Sequence, residues 1–278
     1  MLANLNDVLK KAQKGKYAAG LFNTTDTDML QAVIEAAEES NSPVILGTAE
    51  VLLPYGELKL IAPSAIAAAK RAKVPVVVHY DHGLTFDRCI EALKLGFSSI
   101  MFDGSAKPYE QNIAETREIV KIAHAFGATV EGEIGHVGEA AKEDNLLTDM
   151  YTTPEEAKAY LEATGVDALA VAIGSAHGVY KKKPMLNIER LKEISGAVKV
   201  PLVLHGGSGL SDDDFKNTIR NGIAKVNIFT DLCLAGERAM KDGEEKKLGY
   251  LETRNLKVEY IKEAVKHKMS LFGSVGKA

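Results

Sequence analysis

The chain has 278 residues, of which 46% are hydrophobic and 26% charged, a composition typical of a globular protein with a sizeable core. Its net charge of −4 gives no electrostatic reason to expect nucleic acid or an anionic membrane as a partner. Two isolated cysteines, and the lack of a signal peptide or of about eighteen consecutive apolar residues, favour a reduced, cytoplasmic protein without a membrane span.

Short apolar segments alternate with helical patterns along the chain. Strands are predicted at 17–22, 43–48, 76–83, 98–102, 128–133, 168–173, 200–204 and 224–228. Helices are predicted after them at 28–37, 64–72, 86–95, 109–126, 154–165, 188–194 and 211–220, and charged helices follow from 231 to about 268.

This order predicts an α/β fold of the (β/α)8 TIM-barrel type. Near-continuous apolar strands indicate a parallel sheet covered on both faces, and barrels of eight strand–helix units typically have ~250 residues. A doubly wound open sheet is the rival, but no GxGxxG motif follows the first strand and the count of eight favours closure. No linker divides the chain, so we expect one domain, 1–278, with extra C-terminal helices.

Polar residues follow nearly every predicted strand, at the end that faces the mouth of a barrel. His82, His177 and His205 come from three different strands, and three imidazoles with an open fourth position are typical of a catalytic zinc site. Each histidine alone is more easily explained by local hydrogen bonds, and only the three together favour a metal. His79 shares a strand face with Asp81 and is a candidate to support the ligands. The complete set of polar strand ends is Asn23, Thr48, Asp81, His82, Asp103, Glu131, Glu133, His177, His205 and Asn227.

A candidate phosphate site follows the seventh and eighth strands. The segment 205–209 is rich in glycine, and 227–231 opens a helix. Glycine allows backbone N–H groups to approach an anion, and these two loops commonly hold phosphate in barrels. Lys181 belongs to a lysine run, 181–183, that either adds positive charge to this site or is simply solvated.

A Schiff-base mechanism is disfavoured, because it needs a lysine deep in the barrel near the end of a strand. The sixth strand has none, and Lys225 is predicted at the start of the eighth strand, away from the mouth. The residues therefore favour metal-based chemistry at a carbonyl group.

The segments that carry these residues occur together over about residues 20 to 235. On them the chain resembles the class II, zinc-dependent ketose-bisphosphate aldolases of the fructose- and tagatose-bisphosphate type. This resemblance implies a lyase of carbohydrate metabolism such as glycolysis, with one catalytic Zn²⁺ and a homodimeric or homotetrameric assembly. The reaction would be reversible cleavage of fructose or tagatose 1,6-bisphosphate to dihydroxyacetone phosphate and an aldehyde such as glyceraldehyde 3-phosphate. The segments are VPVVVHYDHG, SSIMFDGS, VEGEIGHVG, AVAIGSAHGVY, VPLVLHGGSG and KVNIFTDL.

The resemblance also implies individual roles. Asp81 would handle the proton of the C4 hydroxyl, and the three histidines would bind zinc. Asp103 and Glu133 match positions that hold a second or displaced metal in some members, and a monovalent cation is an alternative there. Residues that match the dihydroxyacetone-phosphate site or its surroundings are Asn23, Gly178, Gly206, Gly207, Ser208, Asn227 and Thr230.

Two departures from the family pattern leave the aldehyde open. The loop after the fifth strand lacks the usual double glycine, which makes Glu143 only a candidate for a second proton base. Phe229 replaces a small or polar residue before Thr230. Another ketose phosphate is therefore an alternative substrate, with Arg254 a candidate ligand for a second phosphate.

Two further functions are compatible with a barrel of this kind. One is a non-catalytic phosphate-binding barrel, which the intact set of Asp81 and three histidines disfavours. The second is a zinc hydrolase, which usually has an HxH pair after the first strand, where this chain has Phe22, Asn23 and Thr24. Both therefore rank below the aldolase.

Asp81 and His82 raise a geometric problem, since successive strand residues point to opposite faces. Both side chains can reach the barrel mouth only if the chain bends at Gly83 or just before it. We therefore expect an irregular end to the third strand.

Overall fold

The computed structural model of the chain describes residues 1–135, 138–139, 151–177 and 184–278, of which 138, 139 and 177 are described by their backbone alone. Eight parallel strands close into a barrel, because β1 pairs with both β2 and β8 and β3 pairs with β4. The predicted (β/α)8 fold is thus confirmed. The strands are β1 (Ala19–Asn23), β2 (Val44–Ala49), β3 (Val76–Gly83), β4 (Ser99–Phe102), β5 (Thr129–Ile134), β6 (Ala168–Val171), β7 (Leu202–Leu204) and β8 (Ile223–Ile228).

Ten α-helices lie in the described part of the chain, and they surround the barrel or cover one of its ends. Two features differ from the sequence prediction. An N-terminal helix, α1, precedes the first strand, and α3 begins six residues before the predicted start at 64. Pro63 lies inside α3, where it removes one backbone hydrogen bond without ending the helix. The helices are α1 (Leu5–Gly15), α2 (Thr27–Glu39), α3 (Leu58–Arg71), α4 (Phe86–Leu95), α5 (Tyr109–Ala125), α6 (Pro154–Thr164), α7 (Ile188–Ala197), α8 (Asp212–Arg220), α9 (Thr230–Glu245) and α10 (Tyr250–Phe272).

The lower half of the barrel interior is apolar and is closed by α1. Asn4 caps this helix and forms a capping box with Asp7. Leu5, Val8 and Leu9 on its buried face pack against side chains that point inward from the strands. Because α1 is short and largely polar, its helical form depends on this burial. The inward-pointing side chains in this layer are Ala19, Leu21, Ile45, Val77, Ala168, Ala170 and Val203.

The upper half of the interior is polar. Strand alternation turns every second residue inward, so that β3 contributes Val77 to the lower layer and His79 and Asp81 to the upper one. In β8 the same alternation sends Lys225 and Asn227 inward, while Val226 joins the outer core between strands and helices. The mouth end of the barrel therefore carries the chemistry.

Two long C-terminal helices complete the fold, as the sequence predicts. Helix α10 packs against both α9 and α2. None of the helices among the described residues is long and apolar enough to cross a membrane.

Candidate active site

The end of β3 is irregular, as the sequence requires. Relative to β4, it has one extra residue between Tyr80 and Gly83. His82 has a φ of 46°, in the left-handed region that residues other than glycine rarely adopt. Gly83 approaches β4 so closely that a Cβ there would lie 2.7 Å from the Met101 carbonyl oxygen. The bend therefore lies at His82 itself, and this bulge brings Asp81 and His82 to the same mouth.

Two histidines at the mouth are each oriented by a carboxylate. His82 Nδ1–H donates to Asp103 Oδ2 at 2.8 Å, and Ser105 donates its N–H and hydroxyl to the other oxygen of Asp103. His205 Nε2–H donates to Glu131 Oε1 at 2.8 Å. An ionised carboxylate only accepts hydrogen bonds, so these contacts assign the ring protons. His82 Nε2 and His205 Nδ1 then lie on the facing sides of the two rings.

These two facing nitrogens lie 2.8 Å apart. Two lone pairs cannot face each other at that distance without a proton or a metal cation to share. Burial lowers the pKa of His82, but the charge of Asp81 and the hydrogen bond to Asp103 outweigh it and raise the pKa to about 9. Burial and then the charge of His82 lower the pKa of His205. In the metal-free chain the shared proton therefore belongs to His82.

The donor set fits a divalent metal. Asp81, His82 and His205 each offer an atom, and these atoms all lie within 4.8 Å of one another. Imidazole nitrogens with a nearby carboxylate are ligands that zinc accepts, and carboxylate partners on the far ring nitrogens are the usual support for such ligands. A second group of the same kind combines His82 with Asp103 and Glu133. The structure thus brings both predicted second-metal residues close to the first group.

Asp81 is buried, with 1% of its surface exposed, and both its oxygens accept hydrogen bonds. Asn23 Nδ2 donates to Oδ2 and Asn227 Nδ2 donates to Oδ1, each at 2.9 Å. Burial raises the pKa of this carboxyl, but the positive charges of His82 and Lys225 outweigh it and hold the pKa below its ordinary value. The side chain is therefore ionised at neutral pH. Contact of the two asparagines with substrate stays a prediction.

The predicted phosphate loops lie side by side. Gly207 N–H donates to the Asn227 carbonyl at 3.2 Å, and Phe229 N–H donates to Ser208 Oγ at 3.2 Å. Thr230 is the first residue of α9, so a helix N-terminus opens next to the turn after β7. The structure brings these predicted residues together, and phosphate binding by them stays a prediction.

Gly206 joins this turn to the segment that contains His177. Its φ is 65°, and a Cβ there would lie 2.3 Å from the Ala176 carbonyl oxygen. The strand Ala176–His177 pairs in parallel with Gly138–Glu139. The backbone leading to His177 therefore lies beside the turn that follows His205. The imidazole of His177, together with Gly178, Lys181 and Glu143, lies outside the described residues.

Three residues buried beneath the metal ligands have a larger role in the site than the sequence suggests, namely Lys225, Glu131 and His79. The backbone of Lys225 lies in the first half of β8, level with the first residue of β1, but its side chain is fully buried inside the barrel. Its Nζ lies 2.8 Å from Glu131 Oε2. His79 contacts Ser99 Oγ through Nδ1 at 2.7 Å, and burial, followed by the charge of Lys225, lowers its pKa to about 3. Sequence position alone could have shown that all three side chains face inward, because each residue lies two positions before an inward-facing residue of the site.

The side chain of Arg254 makes hydrogen bonds to helix α2. Its Nε donates to Asp28 Oδ1 at 2.8 Å and its Nη2 donates to Gln31 Oε1 at 2.6 Å. The guanidinium therefore ties α10 to α2 in this structure.

Comparisons with known proteins point to one family. The sequence profile of the family described as fructose-bisphosphate aldolase class-II matches residues 3–277. The chain is 40% identical over 308 residues to a fructose-bisphosphate aldolase from Thermus caldophilus, with 100% of both chains covered.

Solved structures give the same answer. The crystal structure of the YdjI aldolase from Escherichia coli K12 has a TM-score of 0.92 and 40% identity, with 100% of both chains covered. A fructose-bisphosphate aldolase from Campylobacter jejuni has a TM-score of 0.85 and 26% identity, and the match covers 100% of this chain and 97% of that one. The profile match and these identities show that the chain belongs to the class II fructose-bisphosphate aldolase family and is an aldolase, a carbon–carbon lyase.

Proposed function

We propose that the protein uses zinc to cleave a ketose bisphosphate, fructose or tagatose 1,6-bisphosphate, to dihydroxyacetone phosphate and glyceraldehyde 3-phosphate. The observation that carries the proposal is the convergence of His82 Nε2 and His205 Nδ1 beside an ionised Asp81. His82, His205 and the predicted His177 would hold the metal. When bound, zinc would supply Lewis-acid stabilisation of the negative charge that develops on the substrate's ketone oxygen.

The chain's own residues account for the proton transfer. In the cleavage direction Asp81 accepts the proton of the C4 hydroxyl, the C3–C4 bond breaks, and its electron pair stays on the dihydroxyacetone-phosphate fragment. Asn23 and Asn227 hold the carboxylate in place for this transfer. The glycine turn at 206–208 and the first turn of α9 would bind the phosphate through backbone N–H groups. Glu143 is the candidate that would protonate the dihydroxyacetone-phosphate fragment.

Another ketose phosphate is the second candidate substrate. Arg254 already makes hydrogen bonds to Asp28 and Gln31, which argues against its guanidinium as the ligand of a second phosphate. A ketose 1-phosphate with a neutral aldehyde half is therefore included in the test.

The deciding experiment is a turnover assay with dihydroxyacetone phosphate and a panel of aldehydes, with the stereochemistry of each product determined. We expect condensation with glyceraldehyde 3-phosphate, its loss after chelation, and its recovery with Zn²⁺. Full activity in chelator-treated, metal-free protein would exclude the metal mechanism. No turnover with any aldehyde would favour a non-catalytic phosphate-binding barrel, and a preference for an unphosphorylated aldehyde would favour the monophosphate substrate.

We also propose a homodimer or homotetramer, as the family resemblance implies, in the cytoplasm, as the two isolated cysteines suggest. Light scattering of the purified chain measures its mass directly, and a monomer at micromolar concentration would contradict this proposal.

A further inference from the structure

A buried ion pair lies beneath the metal ligands. Lys225 and Glu131 have no exposed side-chain surface, and Nζ of the lysine lies 2.8 Å from Oε2 of the glutamate. Burying two charges costs more than such a pair usually returns. Nothing in the aldol reaction itself requires a lysine at this depth, so the pair calls for a physical reason.

That reason lies on the other oxygen of Glu131. Oε1 accepts a hydrogen bond from His205 Nε2–H at 2.8 Å. This bond fixes the plane of the imidazole and leaves its lone pair on Nδ1, the nitrogen that faces His82 Nε2. A carboxylate turned by a few tens of degrees would lose this alignment.

The ammonium of Lys225 forms an ion pair with Oε2, while Oε1 faces His205. This attraction opposes a rotation that would exchange the two oxygens. His79 Nε2 lies 3.9 Å from the same Oε2, too far for a hydrogen bond that could replace the lysine. Lys225 comes from β8, Glu131 from β5 and His205 follows β7, so the three side chains connect separate strands through the barrel interior.

We propose that Lys225 and Glu131 are positioning residues that hold His205 in the tautomer and orientation needed to bind a metal through Nδ1. The lysine acts through the glutamate and the glutamate through the histidine. Of the two tests of this inference, only the metal titration rests on the proposed function, because the tautomer of His205 is a property of the metal-free chain.

The first test is a double-mutant cycle on metal affinity in the full-length protein. Lys225→Met, Glu131→Gln and the double variant are titrated with Zn²⁺ and Co²⁺ against a competing chelator. We expect Lys225→Met to weaken binding by about 10- to 100-fold, the range typical of residues that support a metal ligand. In the Glu131→Gln background the same change should have little further effect. The visible spectrum of bound Co²⁺ should change in parallel, because it reports ligand geometry.

Lys262→Met is the matched control. Lys262 is also largely buried and also pairs with glutamates, Glu39 and Glu259, but it lies on α10. It should leave the affinity and the Co²⁺ spectrum unchanged. Should Lys225→Met fail to fold, the neutral double variant is compared with wild type, because it leaves no buried charge of this pair unbalanced; an unchanged affinity would then overturn the inference.

The second test uses ¹⁵N NMR of the imidazoles in the metal-free protein. Wild type should show His205 protonated at Nε2, and Lys225→Met should show a mixture of tautomers. Additive effects in the cycle, unchanged affinity of folded Lys225→Met, or a wild-type His205 protonated at Nδ1 would overturn the inference. If wild type binds no metal but His205 carries its proton on Nε2, the proposed function fails while the positioning by Lys225 and Glu131 stands.

Discussion

A histidine–aspartate pair lies at each end of the barrel, and the two contacts have nearly the same length. At the mouth, His82 Nδ1 lies 2.8 Å from Asp103, and at the opposite end His124 Nε2 lies 2.9 Å from Asp167. The imidazole of His82 is 14% exposed and that of His124 is 47% exposed. The contact alone therefore does not identify a functional histidine.

What distinguishes the pairs is the second ring nitrogen and the carboxylate's other contacts. His82 directs its second ring nitrogen at His205, beside Asp81. Asp167 instead accepts hydrogen bonds from the Val130 N–H and from Asn6, so its pair with His124 belongs to the support of the barrel wall. Function therefore lies in the convergence of donors, while a single histidine–aspartate contact serves stability.

The largest expected effect is the difference between His82→Ala and His124→Ala. Loss of His82 removes a ligand of the proposed metal, so cleavage should fall by about 10³-fold or more, because Lewis-acid stabilisation contributes several kcal/mol. His124→Ala should cost about 1 kcal/mol or less in stability, since the histidine is about half exposed, and leave turnover unchanged. Steady-state kinetics and metal content of both variants check this. Equal losses of activity would remove the distinction between the two ends.

Asp81→Asn separates proton transfer from metal binding within the mouth. The amide cannot accept the hydroxyl proton, so turnover should fall by about 10²- to 10⁴-fold while zinc remains bound. Asp103→Asn is the matched change, because it weakens the support of His82 and should lower metal affinity by about tenfold or more. Metal titration beside kinetics gives both quantities. Loss of zinc from Asp81→Asn would instead make Asp81 a metal ligand.

Leu9→Ala addresses the closed end of the barrel. Leu9 is fully buried where α1 packs on the lower interior layer, so the free energy of unfolding should fall by about 2–5 kcal/mol. Metal affinity and KM of the folded variant should remain near wild type, because the polar layer separates the substrate from the cavity that the substitution leaves. Urea unfolding and chelator competition measure the two effects. A change in affinity without a change in stability would show that the two layers are coupled.

The sequence was sufficient for the barrel and for the position of its mouth. Eight largely apolar segments separated by glycine, proline and capping residues specify strands locally, and the polar residues after them fall at one end by topology. This is why the approach of His82 to His205 could be anticipated from residues more than a hundred positions apart.

The remaining features depend on contacts that no local pattern contains. Helix α1 is marginal without the barrel floor on which Leu5 and Leu9 pack. The pairing of Lys225 with Glu131 crosses the barrel, so it follows from strand register and side-chain length. The bend at the end of β3 was required by geometry, but its assignment to His82 rather than Gly83 depends on how closely β4 approaches the glycine.

The smallest predicted effect concerns a charge at the mouth end that has no expected part in the chemistry. Asp26 caps α2 through the Met29 N–H and pairs with Lys257 of α10 at 2.7 Å. Burial raises the pKa of Asp26, but the hydrogen bonds from Lys257 and Met29 outweigh it, so the pKa lies below its ordinary 3.8. A carboxyl with a depressed folded pKa contributes stability that is complete above the unfolded value and is lost as the pH falls through the folded one.

Asp26→Asn keeps the cap and removes the charge. Because the carboxylate is 42% exposed, solvent screening limits the expected loss to about 0.5 kcal/mol at pH 7. The difference from wild type should persist down to about pH 5 and shrink below 3.8, and it should also shrink in about 1 M NaCl. Urea unfolding across this pH range measures it, with kcat and metal affinity unchanged. A stability difference that grows on acidification would contradict the lowered pKa of Asp26. A loss of turnover would show that Asp26 contributes to the chemistry as well as to stability.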